Sequence, residues 1–169
     1  MKKLAVVIVC ALLAGCAAKT DEELFAEAIE SQKAGDVEDA LESYAEVMTA
    51  HPQSPRVPEA LYAIGAIYQD QLKNFPKAIE SYQKLVDGYP THATAPNALF
   101  LVGFINHNEL KNIDAARTAY EAFLQKFPES SLVSSAQFEL DHLGQDPAQI
   151  LEDRTAAQAN APDTKARGK

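Results

Sequence analysis

Thiols are scarce in this chain of 169 residues: it has two cysteines, Cys10 and Cys16, and none after residue 16. Neither a disulfide framework nor a cysteine zinc site can form in the rest of the chain, so its stability has to come from packing. Glycine occurs seven times and never clusters into a loop that could cradle a phosphate. The four histidines, His51, His92, His107 and His142, show neither His-x-x-x-His nor His-Glu-x-x-His spacing, and no metal site is expected from them. Basic residues are the minority, 15 against 24 acidic, for a formal charge of −9. Such a chain meets long-range repulsion at a phosphate backbone or an anionic lipid surface, and no basic stripe supports a nucleic-acid partner. The apolar run at residues 4–13 is too short to span a bilayer as a permanent helix.

That run follows Lys2 and Lys3 and leads into Leu13-Ala14-Gly15-Cys16, which resembles the lipobox of bacterial lipoproteins. The resemblance implies a signal peptide, residues 1–15, cut before Cys16. The cysteine then carries lipid on its sulfur and its amine, and residues 16–20 form a short linker. Cys10 leaves with the signal peptide, and losing Lys2 and Lys3 takes the charge from −9 to −11. Membrane attachment rests on the acyl chains, each buried CH₂ adding about 0.8 kcal/mol. Ala17, where an aspartate would be the retention signal, resembles the outer-membrane default, with the protein facing the periplasm. With 47% hydrophobic residues the chain can build a core.

The remainder is periodic. Ala40, Ala78 and Ala116 are 38 residues apart, and so are Tyr44, Tyr82 and Tyr120; Pro52, Pro90 and Pro128; and Ala60, Ala98 and Ala136. A repeat of this length signals stacked helical hairpins, each unable to bury its own apolar face. In the second copy Pro58 stands in a first helical turn, and Leu61, Ile64, Gly65 and Tyr68 line one helix face. A glycine inside a helix implies close approach of a neighbour, here the second helix of the hairpin. Asn74 caps that helix, with Pro76 in its first turn, and Ala78, Tyr82, Leu85 and Val86 face back until Tyr89-Pro90 closes the unit.

The third copy repeats this with Pro96, Leu99, Val102, Gly103, Asn112, Ala116, Tyr120, Phe123, Leu124 and Phe127-Pro128. The first copy is looser: a helix over residues 21–34 carries Leu24, Phe25, Ala28 and Ile29 and turns at Gly35-Asp36 with one residue fewer. Its second helix carries Ala40, Tyr44, Val47 and Met48. A lone helix over residues 131–143, with Leu132, Val133, Ala136, Phe138 and Leu140, matches half a repeat and serves as a cap. Gly144 stops it, a short turn over residues 147–152 follows, and residues 153–169, without periodicity, are expected to be disordered.

The series Gly65, Tyr68, Ala78, Tyr82, Leu85 and Pro90 resembles the tetratricopeptide repeat. Gly103, Ala116, Tyr120, Phe123 and Pro128 match in the third copy, where Asn106 departs from tyrosine. The resemblance implies an all-α fold, a right-handed tetratricopeptide-repeat (TPR) solenoid of three hairpins and a capping helix. Its TPR domain spans residues 21–152, with repeats at 21–52, 56–90 and 94–128. The closing Tyr-Pro or Phe-Pro followed by Ser or Thr resembles envelope members of the family. Among these are the lipoprotein of the outer-membrane β-barrel assembly machine and the C-terminal domain of the Tol-Pal coordinator.

Catalysis finds little support. Ser81-Tyr82-Gln83-Lys84 matches a Ser-x-x-Lys motif, but its counterparts are Ser43-Tyr44-Ala45-Glu46 and Ala119-Tyr120-Glu121-Ala122, so it reads as helix surface. Neither an enzyme nor a cofactor is expected, and no small-molecule substrate. In TPR arrays the first helices line a groove, which places Tyr62, Ala66, Gln69, Asn97, Phe100, Phe104 and His107 toward a partner. Phe25 and Phe138 extend the row. Aromatic rings flanked by amides suit an apolar peptide anchor with backbone hydrogen bonding; the competing reading makes Tyr62, Phe100 and Phe104 inter-repeat core. The basic carboxylate clamp of some family members is absent, with Phe25 and Ile29 in its place.

The leading expectation is therefore a lipid-anchored periplasmic adapter that binds a segment of another envelope protein, in outer-membrane protein assembly or envelope maintenance. The alternatives are a pilotin-like chaperone for a secretion or pilus subunit and, from another class, an envelope hydrolase.

Overall fold

Thr20 opens the first helix by a capping box: its Oγ1 accepts from the Glu23 amide at 3.2 Å, while the Glu23 carboxylate accepts from the Thr20 amide at 2.9 Å. The computed structural model describes residues 18–145, 148–149, 151–152 and 155. The expected signal peptide, Cys16 and, Thr155 apart, the tail lie outside them. Among the described residues seven α-helices follow in order: α1 (Asp21–Ala34), α2 (Val37–Ala50), α3 (Val57–Ala66), α4 (Phe75–Gly88), α5 (Ala95–Asn108), α6 (Ile113–Lys126) and α7 (Val133–Asp141). They form three antiparallel hairpins and a single capping helix, each packed mainly on its chain neighbours, as a solenoid requires. No strand occurs among the described residues. The cap is shorter than residues 131–143, and of its apolar residues only Ala136 is fully buried.

The periodic residues build the core. Ala40, Ala78 and Ala116, and likewise Ala60, Ala98 and Ala136, have no exposed surface, and Tyr44, Tyr82 and Tyr120 are buried. Gly65 and Gly103 admit the tyrosine of the facing helix: a β-carbon at either would lie 2.5 or 2.6 Å from Cε1 of Tyr82 or Tyr120. The first repeat has Ala28 at this place, since Leu24, Leu61 and Leu99 are the buried leucines four residues before it.

That alignment locates the residue missing from the first repeat. There the chain leaves α1 through Gly35 at φ 88°, whose amide, like that of Asp36, returns to the last turn. In the second repeat the extra residue widens the end of α3 into a π-helical turn (Ile67–Gln71). Leu72 N–H reaches Ile67 O at 3.1 Å, and in the third repeat Leu110 N–H reaches Ile105 O at 3.0 Å in the same way. Lys73 and Lys111 then take the left-handed conformation of Gly35, at φ 51° and 54°. Asn74 and Asn112 cap α4 and α6 by accepting from Lys77 and Ala115 amides at 3.3 and 3.1 Å.

The array ends by a change of residue type. Where α3 and α5 carry Leu61 and Gly65, or Leu99 and Gly103, toward a second helix, α7 carries exposed Gln137 and Asp141, joined by a 2.8 Å hydrogen bond. The residues one repeat beyond Ala116, Tyr120 and Phe123 are Arg154, Gln158 and Ala161, so the second-helix pattern is lost.

Candidate partner-binding site

Because Phe25, Tyr62, Phe100 and Phe138 follow the buried leucine position in each unit, or its Gln137 counterpart, they fall in one row along the first helices. In the three hairpins each ring rests on the tyrosine of its own second helix. Phe25 meets Tyr44 at 5.4 Å between centroids, Tyr62 meets Tyr82 at 5.5 Å, and Phe100 meets Tyr120 at 5.6 Å, all at steep angles. Edge and tilted geometries of this kind add about 0.5–1.5 kcal/mol per pair beyond area burial. Phe138, in the unit without such a tyrosine, is 39% exposed and stacks on His142 at 4.2 Å.

Two turns further on, Gln32 and Gln69 accept the hydroxyl protons of Tyr44 and Tyr82 at 3.0 and 3.1 Å. The third repeat has His107 instead, and its Nδ1 lies 3.4 Å from the Glu139 carboxylate on α7. The Tyr120 hydroxyl is buried and, among the described residues, has no hydrogen-bond partner. Burial pushes the Tyr82 and Tyr120 hydroxyls well above the usual phenol range, so both stay protonated.

Six of the seven positions expected to face a partner separate by environment, and the seventh, Ala66, is half-buried at the end of α3. Tyr62 and Phe100 are half-buried and pack against the main apolar cluster, as does Phe25. Gln69 and His107 are half-buried and engaged in the contacts just described. Asn97 is exposed at the start of α5. Phe104 is half-buried yet belongs to neither apolar cluster, and it lies between Phe100 and His107 on the same helix face.

One contributor was not legible in the repeat. Arg56, just before α3, makes two 3.0 Å hydrogen bonds to Glu22 on α1 and one of 2.6 Å to Glu59, and its guanidinium sits 5.1 Å from the Phe25 ring centroid. The hydrogen bonds to Glu22 and Glu59 raise its pKa further above an already high value. It covers Phe25 and closes the row at its first end. Arg56 has no repeat counterpart, so periodicity carried no signal for it; a charged triad in the sequence would have been the only hint.

The other chemistry weighed from the sequence is occupied locally. Ser81 Oγ donates to Lys77 O at 3.0 Å, and Lys84 pairs with Glu80 at 2.7 Å. His51 bonds Lys19 O, His92 bonds Thr94, and His142 bonds Phe138 O. No helix among the described residues is long and apolar enough to cross a membrane.

Residues 17–150 match the family model YfiO, described as an outer membrane lipoprotein. No curated protein matches the chain.

Proposed function

The chain belongs to the YfiO family of outer membrane lipoproteins, and from that premise we propose that it is a lipid-anchored adapter whose aromatic row holds a segment of another envelope protein, in outer-membrane protein assembly or envelope maintenance. The lipid on Cys16 tethers it, and the TPR domain faces the periplasm. Phe104 is the observation that carries this reading. A half-buried phenylalanine outside both apolar clusters adds little to the core, yet it lies one turn beyond Phe100 on the same face of α5, flanked by Asn97, His107 and Asn108. A large ring beside polar groups is the anchor type that dominates peptide recognition. Tyr62 and Phe100 serve both purposes, with one side on a buried tyrosine and the other toward a ligand.

Crosslinking from Gln69 in intact cells tests the proposal. Phe104→Ala should lower the yield of one protein adduct at least fivefold with the melting temperature held within a few degrees. An unchanged adduct pattern with an intact fold would refute the groove. The tether is tested by Cys16→Ala, which should abolish acylation and release the protein to the soluble fraction; a retained lipid-labelled band would defeat it.

A further inference from the structure

The second and third repeats differ most on the side of the first helices roughly opposite the aromatic row. Between α2 and α4 the space over α3 is reduced to about 200 Å³, because Tyr68 occupies it and Lys77 lies 5.0 Å from its ring centroid. One repeat on, those positions are Asn106 and Ala115, and a slot of about 410 Å³ opens between α4 and α6. Its floor is Leu99 and Val102. Ser81 and Lys84 of the narrower space are replaced in its wall by Ala119 and Ala122. The wall of α6 is therefore a line of small side chains along which another backbone can lie closely.

Two further observations specify what would fit. Asn106 is 7% exposed, its Nδ2 donates to Val102 O at 2.8 Å, and its Oδ1 accepts no hydrogen bond among the described residues. An acceptor is thus held on an otherwise apolar floor, placed to take a hydrogen bond from a group that enters the slot. The only ionic residue lining the slot is Lys126, 47% exposed and 3.9 Å from Asp87, whereas the narrower space is lined by two lysines and a glutamate.

We propose that this slot is a second docking site, distinct from the aromatic row, for a tyrosine carried on an acidic amphipathic helix of a partner protein. The ring takes the place that Tyr68 fills in the preceding repeat, its hydroxyl donates to Asn106 Oδ1, and a carboxylate near it pairs with Lys126. A buried aromatic anchor with a charge-paired rim is how a helix docks into a groove.

The test is photo-crosslinking in intact cells from Gln83, which lines the slot, in the full lipidated chain, with adducts mapped by mass spectrometry. The expected adduct lies in a partner helix within one turn of a tyrosine and an acidic residue. Restoring the second-repeat residues with Asn106→Tyr plus Ala115→Lys should cut it at least tenfold, while adducts from Gln69 on the aromatic row persist. Lys126→Glu, an exposed change that leaves packing alone, should cut it at least threefold even if the double variant folds poorly. The proposal is overturned if Gln83 yields no protein adduct, if it captures only acyl chains or a second copy of this chain, or if the adduct survives Lys126→Glu at full yield. Loss of adducts from Gln69 alone would bear on the aromatic row and leave the slot standing.

Discussion

Gly65 and Tyr82 meet without room for a methyl group: a β-carbon on the glycine would sit 2.5 Å from Cε1 of a ring that is only 1% exposed. Alanine would gain about 1 kcal/mol in helix propensity, but overpacking a fixed core costs about 1–3 kcal/mol. With the ring also held by Tyr62 and by Gln69, Gly65→Ala and its counterpart Gly103→Ala should both lower the melting temperature. Gly88, at the exposed end of α4, has nothing within 4 Å of such a carbon, and Gly88→Ala should raise it. Thermal melts of the three variants check the opposite signs.

The tyrosine hydroxyls give a second contrast. Tyr82→Phe removes a 3.1 Å hydrogen bond to Gln69 and leaves that amide oxygen unpaired, at a cost of about 1 kcal/mol. Tyr120→Phe removes a buried hydroxyl with no partner among the described residues and should be neutral or stabilising. Urea denaturation of the two variants should separate them; equal destabilisation would contradict the account.

Lys73 and Lys111 hold the left-handed conformation that Gly35 takes in the first repeat. A side chain there is strained by about 1 kcal/mol or more, partly offset by glycine's larger entropy when unfolded. Lys73→Gly and Lys111→Gly should each stabilise by a few tenths to about 1 kcal/mol, and Gly35→Ala should destabilise by a similar amount. Chemical denaturation midpoints supply the comparison.

Acid should loosen the N-terminal end of the array. The Ser54 hydroxyl holds the Asp21 carboxyl below its ordinary value, and the Thr20 amide and hydroxyl do the same for Glu23. A depressed folded pKa contributes stability that is complete above the unfolded value, about 4, and is lost as pH falls through the lower folded one. Ser54→Ala should therefore lower the melting temperature at pH 7 and flatten its decline below about pH 4. A decline of unchanged steepness would mean that Asp21 plays no part.

The register of the array was legible because tyrosine, alanine and proline recur at fixed spacing, and each sits where one solenoid layer repeats the last. Gly65 even disclosed its neighbour, since a helix tolerates that glycine only for a close approach. The π-helical turn over Ile67–Gln71 was not legible, because one inserted residue in a helix leaves the apolar pattern nearly unchanged and is expressed in backbone hydrogen bonds. The proposed partner-binding surface was half legible. Spacing put Tyr62, Phe100 and Phe104 on one face, but their different degrees of support depend on the rings beneath them. The slot was not legible, because it arises from the space that Asn106 and Ala115 leave unfilled.

Gln137 and Asp141 decide how long this molecule can be. Stacked repeats have no intrinsic length, and any first helix that shows leucine and glycine invites another hairpin. By offering an amide and a carboxylate bonded to each other, α7 withdraws the invitation with two side chains. A longer array could be made by grafting a hairpin after α7 only if Gln137→Leu and Asp141→Gly were introduced with it. The same two changes without the graft would expose a sticky end and turn a discrete lipoprotein into one that associates end to end.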